Sequence, residues 1–66
     1  KFFDDCIVKW KRINSLHPFT MRIMYQKYDF EFNIVRSNKD ISLLNSCSEE
    51  TIRKHVNMAI TNLTTL

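Results

Sequence analysis

Asn45-Ser46-Cys47-Ser48-Glu49-Glu50-Thr51-Ile52-Arg53-Lys54-His55-Val56-Asn57-Met58-Ala59-Ile60-Thr61-Asn62-Leu63 is the stretch whose reading decides the fold. Ser48 suits an N-cap, because its hydroxyl can accept from an unpaired backbone N–H of the first turn. Glu49 and Glu50 then set negative charge at the positive end of the helix dipole. Ile52, Val56, Ala59, Ile60 and Leu63 recur at helical spacing and make one apolar stripe. Arg53, Lys54, Asn57 and Thr61 fall on the other side. The spacing predicts a helix over 48–63. A shorter helical run, 40–44, precedes it across the polar joint 45–48. Two helices joined this tightly serve either as a nucleic-acid reader or as an association surface.

Outward from this pair, Phe2 to Leu16 reads as a first helix. Asp4 and Asp5 suit its first turn. Phe3, Cys6, Ile7, Trp10 and Ile13 give it an apolar face, while Lys9, Lys11 and Arg12 face water. Pro18 ends that helix and fits the first position of the next, where its missing N–H costs nothing. A second helix follows to about Lys27. Its apolar residues Phe19, Met21, Ile23, Met24 and Tyr25 wrap most of its circumference, the pattern of a helix that is central or shared with a partner.

Residues 28–35, Tyr-Asp-Phe-Glu-Phe-Asn-Ile-Val, alternate with period two, the signature of a strand. One strand alone leaves its backbone groups unpaired. Either it is an extended connector laid across the helices, the favoured expectation, or it pairs with its copy in another subunit. Ser37 with Asp40 three residues on marks the start of the third helix. The chain has no glycine, so left-handed backbone is expected at Asn33, Asn38 and Asn45. The fold class expected is all-α: one small four-helix domain over 1–66, with an extended connector between the second and third helices.

Sixty-six residues with five Phe, two Tyr, one Trp and three Met carry more large apolar groups than so small a domain can hide. Exposed apolar patches mark association, and aromatics and methionines are enriched at interface cores. Phe2, Phe3, Trp10, Met21, Met24, Tyr25, Phe30 and Phe32 are the residues expected to carry an oligomer interface. For Trp10 the core is the better reading. The net charge of +3 is mild, and acids are interspersed with bases. Lys9, Lys11, Arg12, Arg53 and Lys54 are the candidates for nucleic-acid contact, the alternative reading. Against it, Glu49 and Glu50 stand where a phosphate would approach the last helix.

Cys6, His17, Cys47 and His55 lack the close spacing of a structural zinc site, so no metal or other cofactor is expected. Both cysteines are expected to be reduced thiols of a cytosolic or nuclear protein, with a single bridge between them as the lesser alternative. A glycine-free chain has no phosphate-cradling loop, and one this small has little room for a substrate pocket. An enzyme is not expected. No stretch reaches the length of a membrane span. The start at Lys1 is read as that of a piece of a longer protein.

Ile13-Asn14-Ser15-Leu16, Thr20-Met21-Arg22-Ile23-Met24, Asp40-Ile41-Ser42-Leu43-Leu44-Asn45-Ser46 and Ser48-Glu49-Glu50-Thr51-Ile52-Arg53-Lys54-His55-Val56 carry a resemblance. In order and pattern they are similar to the C-terminal domain of the bacterial RNA polymerase alpha subunit. A eukaryotic version ends the Rap-interacting factor (Rif) family of telomere and replication-timing proteins, and this chain resembles its budding-yeast form. The match covers the chain from Ile13 onward. It implies a C-terminal domain that self-assembles into a tetramer within a nuclear telomere or chromatin scaffold, with a telomere-bound protein as a further partner. In metazoan relatives the corresponding region is associated with DNA. The bacterial domain has a glycine in the turn before the last helix, where backbone meets phosphate. Here Cys47 fills that neighbourhood, which favours assembly over DNA.

Overall fold

The computed structural model describes residues 1–64. It contains α1 (Phe2–Ile13), α2 (Pro18–Lys27), α3 (Asn38–Leu44) and α4 (Glu49–Thr64), in the all-α class expected. α4 packs against each of the other three helices, and α2 also packs on α3. Ile13, Ile23, Met24, Ile41, Ile52 and Ala59 are fully or almost fully buried and form the core with Trp10 and Val56. Each helix contributes at least one of these side chains. At roughly 1.5–3 kcal/mol per fully buried side chain, their burial is the main term holding the domain together.

α1 ends at Ile13 rather than Leu16. Asn14, Ser15 and Leu16 turn away, with Ser15 and Leu16 N–H groups donating to the Arg12 and Ile13 oxygens at 3.1 and 3.0 Å. The cause is Pro18, which forces the residue before it out of helical angles. His17 accordingly has φ −54° and ψ 138°. It becomes the N-cap of α2, its ring Nδ1 accepting from the Phe19 N–H at 3.2 Å. α2 then buries Thr20, Ile23, Met24 and Lys27, a single stripe at helical spacing rather than its whole circumference.

The connector folds back on itself instead of running straight. The loop Phe30–Phe32 is closed by Phe32 N–H to Asp29 O and by Asp29 N–H to Asn33 O, both at 3.0 Å. An isolated antiparallel bridge pairs Tyr28 with Ile34. Asp29 organises the turn: its carboxylate accepts from the N–H groups of Glu31 and Asn33, both at 2.9 Å, and from the Asn33 amide at 3.2 Å. The period-two pattern therefore marks two arms of a narrow loop, and the loop satisfies its own backbone.

Left-handed backbone occurs at Phe32 (φ 64°) and Ser46 (φ 53°), not at Asn33, Asn38 or Asn45. Phe32 lies beside Asn33 and Ser46 beside Asn45, two of the three asparagines expected there. Asn45 instead spends its side chain as a clamp, donating to the Gln26 Oε1 and to the Ile41 oxygen, both at 2.7 Å. Asn38 lies inside α3, and its side chain accepts from Lys27 Nζ at 2.7 Å. The returning connector also caps α2. Val35 N–H donates to Lys27 O at 2.8 Å, and the Arg36 guanidinium donates to Gln26 O at 3.0 Å. A cation at the negative end of a helix is favourable.

α3 starts at Ser37, whose hydroxyl accepts from Asp40 N–H at 3.2 Å. α4 starts after Ser48, whose hydroxyl accepts from Thr51 N–H at 3.2 Å. The stripe of α4 is buried at Ile52, Val56 and Ala59. Ile60, placed in that stripe by spacing, is 41% exposed. It lies at the rim and lines a hollow of about 270 Å³ with Lys9, Phe32 and Leu63.

Candidate functional site

Trp10 is the centre of an aromatic cluster. Its indole stacks on Tyr25, with ring centroids 4.8 Å apart, and on Phe32 at 4.7 Å. Its Nε1–H donates to the Phe30 backbone oxygen at 2.9 Å. Phe30 in turn packs its ring against Phe3 at 5.1 Å, and Tyr28 packs against Phe32 at 5.9 Å. The Tyr25 hydroxyl donates to Asn14 Oδ1. On this side α1, α2 and the connector are thus joined by rings. Such pairs are worth about 0.5–1.5 kcal/mol beyond their buried area.

The eight residues expected at an interface divide by depth. Phe2 and Phe3 are 60% and 62% exposed, and Tyr25 and Phe30 are also exposed. Met21 and Phe32 are half-buried. Trp10 and Met24 belong to the core, at 7% and 1% exposure. Placing those two at an interface is corrected: their faces are already used inside the domain. Phe3, Tyr25, Phe30 and Phe32 do come together around Trp10, on one aromatic face.

A hollow of about 330 Å³ opens in this face, lined by Trp10, Tyr25, Tyr28, Asp29 and Phe30. Asp29 and Tyr28 were not among the expected site residues. The signal was the Asp itself, whose side chain can accept from the backbone N–H two residues on and so favours a tight turn. The Asp29 carboxyl is held below its ordinary pKa, first by the Asn33 backbone N–H, with the Asn33 amide and the Glu31 N–H adding to it. Burial raises the Tyr28 phenol above its ordinary value. At neutral pH Asp29 is therefore ionised and the Tyr28 phenol is neutral.

The basic residues do not gather. Arg12 donates to the backbone and side-chain oxygens of Asn62, at 3.3 and 3.4 Å. Lys9 holds its ammonium over the Phe32 ring, 5.7 Å from the centroid. Arg53 pairs with Glu50 one turn away, donating to Oε2 at 2.6 Å. That bond and the opposite charge hold Glu50 below, and Arg53 above, their ordinary pKa values. Lys11 and Lys54 are exposed. Asn62, which receives Arg12, lies nine residues beyond Arg53. At 3.6 residues per turn it points to the opposite side of α4, about 13 Å further along the axis. A hollow of about 680 Å³ runs beside Glu50, Arg53, Lys54, Asn57, Met58 and Thr61. All six belong to α4, so it is a trough along one helix with no facing wall.

Other apolar side chains reach the surface away from the aromatic face. Leu43 is 72% exposed, and Leu44, Ile34, Val35 and Met58 are exposed as well. Cys6 is buried and Cys47 half-buried, both free. His55 Nδ1 and the Thr20 hydroxyl share a hydrogen bond of 2.8 Å that ties α2 to α4, and Phe19 meets the His55 ring edge-on at 4.9 Å. Among the described residues no group of three or more His, Cys, Asp or Glu could hold a metal ion, and no helix is long and apolar enough to cross a membrane.

The aromatic face and its hollow belong to a small all-α domain. In comparison with known proteins, no family model matches this chain, and neither does a curated protein or a solved structure.

Proposed function

We propose that this domain is a homo-oligomerisation module of a larger protein. The observation that carries the reading is the exposed aromatic face, where Phe3 packs on Phe30 beside Tyr25. Exposed rings in one place are what interface cores are made of. A two-fold interface would use the face twice, once from each copy. The resemblance to the Rif terminal domain adds the rest of the proposal: a tetramer, in a nuclear scaffold at telomeres or chromatin. There, linking several copies raises the effective concentration of the other binding sites, including those for a telomere-bound protein.

Light scattering tests the reading. The expected mass is several times the 8.0 kDa of one chain, and Phe3→Asp with Phe30→Asp lowers it. A single-chain mass at high concentration overturns it. DNA binding is the weaker reading, because Arg12, Arg53 and Lys9 are engaged within the domain and stand on different sides. A DNA reader would bind at low salt with a steep salt dependence that Arg53→Ala and Lys54→Ala reduce.

A further inference from the structure

We propose that the hollow between α1, the end of α2 and the connector is a binding site for an alkylated ammonium group, of the kind carried by a methylated lysine side chain. Its walls come from the rings of Tyr25, Tyr28 and Phe30 and from the edge of Trp10, whose faces are taken by Tyr25 and Phe32, and Asp29 completes the lining. Aromatic rings are negative on their faces and attract a cation within about 6 Å of the centroid. Alkylation spreads the charge of an ammonium and weakens its hydration, so such a group loses little on leaving water. The hollow, about 330 Å³, falls within the size range of small-molecule sites.

Asp29 supplies the counter-charge. Three N–H groups of Glu31 and Asn33 already hold its carboxylate, so no reorganisation is needed when a cation arrives. A dimethylated ammonium keeps one N–H to donate to it. The same cluster already holds two ammonium groups against rings: Lys9 over Phe32 at 5.7 Å and Lys27 over Tyr28 at 5.8 Å. Lys27 Nζ is occupied by Asn38 at 2.7 Å, and it and Lys9 are cations of the cluster that oppose the ligand's charge. The site stands on its own geometry and does not rest on self-association, although the two share Tyr25 and Phe30.

The test is a titration of the chain with Nε-dimethyl-lysine amide, lysine amide, choline and the neutral carbon isostere of choline. Ligand methyl protons are followed by NMR, because ring currents shift them upfield when they enter the hollow, and light scattering on the same samples reads self-association separately. The dimethyl-lysine amide and choline are expected to shift and saturate, each at least about fivefold more tightly than its unmethylated or neutral counterpart. Phe30→Leu keeps the bulk and removes the π face. Asp29→Asn keeps the turn acceptor and removes the charge. Each is expected to weaken binding by about fivefold or more with the helical circular dichroism unchanged. Equal binding of choline and its isostere would show a plain apolar hollow and overturn the proposal, whatever the measured mass. So would unshifted methyl signals with all four probes.

Discussion

The indole Nε1–H of Trp10 donates to the backbone oxygen of Phe30 at 2.9 Å, joining α1 to a loop twenty residues away. The bond satisfies an oxygen at the loop tip and orients the indole between its aromatic neighbours. Trp10→Phe keeps a ring but removes the donor, and is expected to cost about 1–3 kcal/mol. Trp10→Ala also removes the packing and is expected to cost about 3–5 kcal/mol. Urea unfolding followed by circular dichroism measures both. If Trp10→Phe is as stable as the parent, this bond does not hold the loop.

Phe32 occupies the left-handed position (φ 64°) that three-residue hairpin loops ordinarily give to glycine. The backbone cost is about 1–2 kcal/mol, offset by stacking on Trp10 and by the Lys9 ammonium. Two substitutions separate these effects. Phe32→Ala loses the ring and keeps the strain; Phe32→Gly loses the ring and relieves it. Phe32→Gly is expected to be about 1 kcal/mol more stable than Phe32→Ala, the reverse of the usual order. The usual order, found by denaturation, would show the strain to be negligible.

Substitution by aspartate separates core from surface. Met24→Asp places a carboxylate where Met24 is 1% exposed, and is expected to abolish cooperative melting. Phe3→Asp changes an exposed ring and is expected to alter stability by only about 0.5 kcal/mol while lowering the mass by light scattering. Normal melting of Met24→Asp would remove Met24 from the core.

Acid stability follows from Asp29 and Glu50. Both carboxyls have folded pKa values below their ordinary 3.8 and 4.5. A depressed carboxyl contributes stability that is fully present above its unfolded pKa and is lost as pH falls through the folded one. The melting temperature is therefore expected to decline once pH drops below these ordinary values. Asp29→Asn, with no charge to titrate, should flatten part of the decline. An equal slope in parent and variant would take Asp29 out of the account.

Thr20 and His55 share the polar tie between α2 and α4. Thr20→Val keeps the shape and removes the hydroxyl, and is expected to cost about 1–2 kcal/mol by thermal melting. Thr20→Ser restores the oxygen and should recover part of the loss. A neutral Thr20→Val would mean that His55 is satisfied by water.

What was legible in the sequence follows from how local each signal is. Ser37 and Ser48 cap the helices they were expected to start, because a cap is settled within one turn. Pro18 opens α2 for the same reason. The stripe of α4 was readable at Ile52, Val56 and Ala59, but the exposure of Ile60 depends on how wide a groove α1 and α2 leave. The connector misled because period-two alternation describes both a strand and the arms of a tight loop. Only the Asp29 contacts, which reach as far as Asn33, separate the two. Trp10 was legible as a core residue, but Met24 was unreadable as core or interface, since composition gives the amount of apolar surface and tertiary packing gives its side.

Trp10 meets Tyr25, Phe32 and the Phe30 oxygen together. α1 therefore cannot lift from the domain without releasing all three partners, and Phe32 then has nothing to keep it left-handed. Local opening should take α1 and the loop as one cooperative unit. Amide hydrogens of α1 and of Phe32 would exchange with one shared opening free energy, smaller than that of the α4 amides, and a cation seated among the rings would slow both together.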